Sequence, residues 1–251
     1  MAQRKGRRNW WAISGATVVV ATVAFFGIAV VTAATRETPS SDLNYTPPPP
    51  ANFDFMEASF LGDSYTAGIG AGSGASYAVN AARRLCLNST TSGNSGSGYI
   101  EKGRGNAEFS DPARIDDVVE YNPAVIVVQG STNDPGDGRV YDAARTLYGT
   151  LQQRAPQARI VVVGPTQPAS VEESRVNSVR DSLRRATAEA GLTFIDPVAE
   201  GWLDPATDYG DDALHPTAAG HRKMGDRLVD DLRSLNIPGL TTSCDPITPT
   251  S

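Results

Sequence analysis

The chain has 251 residues, 40% of them hydrophobic, and a formal net charge of -6, which suits one globular domain with attachments. Arg4, Lys5, Arg7 and Arg8 open the chain with no acid among them, so the remainder is more acidic still and a nucleic-acid partner is not expected. Two cysteines and two histidines are too few for the usual zinc spacings, so no metal and no cofactor are expected.

Trp11 to Ala34 is an apolar, uncharged run, long enough to cross a hydrocarbon core of ~30 Å as a helix. The basic cluster before it places the N-terminus in the cytoplasm. An uncleaved transmembrane anchor within residues 1–35 is the preferred reading. The competing one is a signal peptide cleaved near Val31-Thr32-Ala33. Either exports the rest of the chain. Residues 36–52, with Pro39 and the run Pro47 to Pro50, read as an extended linker.

From residue 53 to 237, short apolar runs alternate with segments of helical period, which predicts a parallel sheet covered on both faces. Ala124 to Val128 and Ile160 to Val163 are continuous and β-branched, as strands buried on both sides are. Ala58 to Leu61 and Thr193 to Ile195 are shorter strand candidates, and Ser89 to Ser92 is placed as a fifth from order alone. Helices are expected over Ser76 to Leu85, after Asp111-Pro112, after the capping box Ser170-x-x-Glu173 until Gly191, and after Pro216. In the last of these, His221, Met224, Leu228, Leu232 and Leu235 form one stripe, so His221 is read as a packed histidine without chemistry. Residues 238–251 form a tail without apolar pattern.

Four blocks carry chemistry. Phe60-Leu61-Gly62-Asp63-Ser64-Tyr65 ends a strand on a serine, and a serine hydroxyl becomes nucleophilic only with a base in reach and a group to orient that base. Asp212-Ala213-Leu214-His215-Pro216 offers both, with an acid three residues ahead of the imidazole. Between them lie Gly96-Ser97-Gly98-Tyr99 and Gly130-Ser131-Thr132-Asn133-Asp134, each able to supply donors to an oxyanion. Gly68-Ile69-Gly70-Ala71-Gly72-Ser73-Gly74 lacks the lysine and the register of a phosphate loop. It reads as a wall of a cleft or as a flexible loop.

In this order and spacing the four blocks resemble the SGNH, or GDSL-type, hydrolase family, over roughly Phe53 to Leu235. One departure is visible: Ser131 stands where the family has a glycine two places before the asparagine. The resemblance implies a three-layer α/β/α fold with a flavodoxin-like parallel sheet of about five strands. It implies Ser64 as nucleophile, His215 as base and Asp212 as its orienting acid. The implied oxyanion donors are the Ser64 and Gly98 backbones and the Asn133 side chain, with Gly96 competing with Gly98. Asp208 and Asp211 lie off the family spacing and read as solvated loop acids. Asp63 and Asp134 read as structural, holding their loops through local bonds.

The expected function is an extracytoplasmic serine esterase acting on a small-molecule, lipid or glycan ester. An acyltransferase would use the same residues, and a non-catalytic envelope-binding module is the alternative from another class. Cys86 and Cys244, both in the exported part, are expected to form a disulfide. The competing reading leaves both as thiols.

Overall fold

The computed structural model describes residues 55–72 and 74–240. The expected anchor, the linker and Cys244 in the tail lie outside the described residues. Among the described residues no helix is long and apolar enough to cross a membrane.

Five strands form one parallel sheet in the order β2-β1-β3-β4-β5. They are β1 (Met56–Gly62), β2 (Leu87–Gly93), β3 (Val125–Gln129), β4 (Arg159–Val163) and β5 (Thr193–Ile195). The central strands are apolar throughout because both faces are covered. Along β3, Val125 and Val127 point to one layer while Ile126 and Val128 point to the other, as the period of two requires. The first layer holds α2 (Tyr77–Arg84) and α6 (Ala218–Ser234), where Ala78 and Ala81 pack with Met224 and Leu228. The second holds α3 (Pro112–Val119), α4 (Arg139–Arg154) and α5 (Glu173–Glu189). This three-layer α/β/α arrangement matches the expected fold, and its strand order is that of flavodoxin-like sheets. The short helix α1 (Ser64–Ala67) follows β1 directly.

Local chemistry explains most element ends. Ser76 caps α2 by accepting from Val79 N, and Asp111 caps α3 by accepting from Ala113 N with proline next in line. The Ser170 capping box does not form: α5 starts at Glu173 without a side-chain cap, and Ser170 Oγ donates instead to Ala213 O at 2.8 Å. Helix α4 has no counterpart in the sequence reading, although Val140, Ala144, Leu147, Tyr148 and Leu151 make a buried stripe. Its N-cap is Gly138 with no side-chain bond, so the usual starting signal is missing. Strand β2 is polar and half exposed. Its place comes from seven-residue pairing with β1, Met56 opposite Leu87 through Gly62 opposite Gly93. Cys86 follows α2 with a left-handed φ of 53°.

Candidate active site

Open parallel sheets bind ligands outside the C-terminal strand ends, in the crevice where the strand order reverses, here between β1 and β3. Ser64 leaves β1, Asn133 leaves β3, and the Asp212–His215 loop lies beyond β5, before α6. The fold brings these three segments together. Ser64 Oγ lies 3.0 Å from His215 Nε2, and His215 Nδ1 lies 2.6 Å from Asp212 Oδ2. The other Asp212 oxygen accepts from Leu214 N at 3.0 Å and His215 N at 2.9 Å. These bonds, led by the His215 amide and then its ring, hold the Asp212 carboxyl down at about 2. Asp212 thus stays ionised at any ordinary pH, a carboxylate held against one ring nitrogen of His215 while the other faces Ser64 Oγ.

The residues border a cleft of about 340 Å³ lined by Ser64, Ile69, Gly96, Asn133, Leu214 and His215, among others. A larger groove of about 520 Å³ along the start of α5 holds none of the catalytic candidates, so chemistry and not size marks the site. Asn133 Nδ2 spends one hydrogen on Ser97 O at 2.9 Å, which orients the amide and leaves the second hydrogen for a ligand. Ser131, the departure from the family pattern, serves the same loop: its hydroxyl donates to Ser97 O and accepts from Asn133 N.

Gly98 does not join this cleft, and its expected role as an oxyanion donor is corrected. Its N–H donates to Glu101 O at 2.8 Å. A Cβ there would come within 2.4 Å of the Asp134 carboxylate, so the glycine is explained by that close approach. Gly96 lines the cleft instead. Of the glycine-rich stretch, Ile69 forms part of the wall, in agreement with one of its two readings.

Comparisons with known proteins show the family and the fold. Residues 60–223 match the model of the GDSL-like Lipase/Acylhydrolase family. The chain belongs to that family. A GDSL lipase of Mycobacterium tuberculosis is 28% identical over 183 residues, covering 67% of this chain and 78% of that protein. A family two carbohydrate esterase from Clostridium thermocellum, solved with cellohexaose, superposes with a TM-score of 0.59 at 21% identity, over 72% of this chain and 64% of its own. A protein from Lactobacillus plantarum gives 0.60 at 22% identity, over 72% of this chain and 98% of that one. At these identities the solved structures speak for the fold. The family and its lipase relative make this chain a hydrolase of esterase type.

The GDSL-type site rests on buried groups that the motifs only partly announce. Asp63 caps α1 by accepting from Tyr65 N, and burial pushes its carboxyl up to about 7. Oriented with its NH2 toward that carboxylate, the Gln129 amide donates to Asp63 and to Thr66 while its oxygen accepts from Gly130 N. Asp134 is structural as expected, but its bonds are not local. It crosses from β3 to accept from the amides of Tyr99, Ile100 and Glu101. Arg114 is absent from the sequence reading altogether. Buried on α3, its guanidinium donates to Gly62 O at 2.7 Å, Ser92 O at 2.5 Å and Ser97 Oγ at 3.0 Å.

The histidine loop has its own supports. Tyr65 OH donates to Leu214 O at 2.6 Å, and both the amide and the hydroxyl of Ser170 donate to Ala213 O. Asp208 is not a solvated acid: Lys223 Nζ lies 2.6 Å from it, and it accepts from Asp204 N. His221 is buried, accepting from Tyr77 N on Nδ1 and facing Ile69 O with Nε2. Its burial favours the neutral ring, consistent with a packing role.

Proposed function

We propose that this esterase-type hydrolase works outside the cytoplasm through a Ser64-His215-Asp212 triad on small-molecule, lipid or glycan esters. The observation that carries the reading is the unbroken chain from Ser64 Oγ through both His215 ring nitrogens to Asp212, at 3.0 and 2.6 Å. Ser64 Oγ attacks the ester carbonyl as its proton passes to Nε2, and the imidazolium then gives that proton to the departing alkoxide. Water repeats the sequence on the acyl-enzyme and frees the acid. The oxyanion is taken by Ser64 N–H, Asn133 Nδ2–H and the Gly96 backbone, the last replacing Gly98. Ser64 N opens a helix and so has no carbonyl four residues behind it.

Export rests on the basic cluster and apolar run before residue 36, and it motivates a Cys86–Cys244 disulfide. Among the described residues no cysteine is free, which supports the bridge. The triad is tested with Ser64→Ala on 4-nitrophenyl acetate. Turnover should fall to background with an unchanged circular dichroism spectrum, and near-parental turnover would remove Ser64 from the role.

A further inference from the structure

One wall of the cleft is built by a segment that the motifs do not include. Residues 102–107 fold back over the Asn94–Gly98 loop, and the Asn94 side chain fastens them. Its Nδ2 donates to Lys102 O at 2.9 Å and Ala107 O at 2.8 Å, while Oδ1 accepts from Gly105 N at 2.9 Å. Arg104 N donates to Ser95 O at 2.9 Å. Gly103, with φ 62°, lies so close that a Cβ would reach Ser97 N at 2.5 Å. The two backbones are therefore locked together, and the lock places Arg104 beside Gly96 on the lining that also holds Ser64, Asn133 and His215.

Arg104 stands apart from the other cations near the site. Arg114 is committed to Gly62 O and Ser92 O, Arg175 to Thr132 O, and Lys102 faces Glu108 at 3.9 Å. Among the described residues, the Arg104 guanidinium has no carboxylate partner and donates no hydrogen bond. It is a planar head with five donors, carried by an exposed residue of the cleft lining in a protein with 28 acids against 22 bases. The apolar part of the same lining is Ile69 and Leu214, which cannot answer a charge.

We propose that Arg104 binds an anionic group, a carboxylate or a phosphate, carried by the ester substrate. The guanidinium fork matches either anion with two parallel hydrogen bonds. The proposal rests on the hydrolase reading of Ser64, and it gives the substrate a negative charge close to its ester carbonyl.

Matched ester pairs test it. In one arm the charge is on the acyl side, comparing 4-nitrophenyl hydrogen glutarate with 4-nitrophenyl pentanoate. In the other it is on the alcohol side, comparing 4-acetoxybenzoate and 4-acetoxyphenyl phosphate with 4-acetoxybenzamide. The readout is the ratio of kcat/KM for the anionic over the neutral ester, in the parent, Arg104→Gln and Arg104→Glu. The expected result is a ratio that falls by about tenfold in Arg104→Gln, falls further in Arg104→Glu, and in the parent declines with added salt. The arm in which this occurs names the side that carries the charge. A fall of less than about threefold in both arms overturns the proposal. Failure of the hydrolase reading is separate: Ser64→Ala would then hydrolyse the neutral esters at the parental rate.

Discussion

Replacing Arg114 by leucine removes the guanidinium that ties the ends of β1 and β2 to the loop carrying Ser97. Two short bonds to carbonyl oxygens are lost, to Gly62 O at 2.7 Å and Ser92 O at 2.5 Å, with the bond to Ser97 Oγ at 3.0 Å. A hydrogen bond with a charged donor contributes about 1.5–3 kcal/mol. Burial of the cation works the other way, pulling the Arg114 pKa down to about 10, and leucine relieves that desolvation. Gly62 O also keeps Asn94 N as a donor at 3.2 Å. The net loss should be about 2–4 kcal/mol, which for a domain of this size lowers Tm by roughly 4–16 °C. Urea unfolding followed by tryptophan fluorescence measures it. Arg114 touches no reacting atom, so its catalytic effect should appear in kcat, through Ser97 and the Asn133 amide that Ser97 O orients. Arg114→Lys should recover little, because one ammonium cannot span three acceptors on separate segments. A leucine variant within about 0.5 kcal/mol of the parent would refute the reasoning, since that is the range of an ordinary surface change.

Asn133→Ala should lower kcat by roughly 10²-fold to 10³-fold with a smaller change in KM; a change confined to KM would make Asn133 a substrate-binding group. Asp63, raised by burial to about 7, holds its proton more tightly folded than unfolded, where a carboxyl titrates near ~3.9. Its contribution to stability therefore falls as pH rises from about 4 to about 7 and is level above that. In Asp63→Asn this part of the pH dependence should vanish from urea unfolding curves, and an unaltered slope would count against it. For the Cys86–Cys244 bridge, intact-mass analysis of the exported protein, alkylated without reductant after denaturation, should show no added label; two labelled thiols would rule it out.

Legibility in the sequence depends on where each signal is stored. Strands β3 and β4 are written in their own residues, because a strand covered on both faces must be apolar along its whole length. The β2 segment, Leu-Asn-Ser-Thr-Thr-Ser-Gly, has no such pattern, since its position is imposed by the edge of β1. Ser64, Asp212 and His215 can be singled out as candidates because the chain has only two histidines and one of them stands at a constrained spacing from an acid, and the structure brings all three within hydrogen-bonding reach. Gly98 misleads because two glycines flank Ser97, and only the placement of Asp134, 36 residues on, decides which one faces the cleft. Arg114 lies on a helix that shows the sequence an ordinary apolar stripe, and nothing in that stripe reports carbonyls on two strands. The Ser170 box fails for a related reason, as its hydroxyl has a tertiary acceptor in Ala213 O.

The two halves of the site are built differently, and the difference fits the work of each. Under the proposed oxyanion side, buried Arg114 and Asp134 bond backbone groups on separate segments, and buried Asp63 caps α1 through Tyr65 N while the Gln129 amide donates to it. Donors aimed at a developing oxyanion help only if they need not reorganise as the charge appears, and a buried, saturated network supplies that stiffness. On the other side, the Asp212 side chain is 52% exposed and that of His215 20%, and their loop is tethered through Leu214 O and Ala213 O. In the proposed mechanism proton transfer asks less of this side: Asp212 fixes the ring, and water must reach Nε2 for an acyl-enzyme to be hydrolysed. A buried histidine would slow that step. On the proposed mechanism, an exposed Asp212–His215 arm beside a rigid oxyanion wall suits release of the acid into water, whereas Arg104, fastened to the Asn94–Gly98 loop through Ser95 O, belongs to the opposite, stiffer wall.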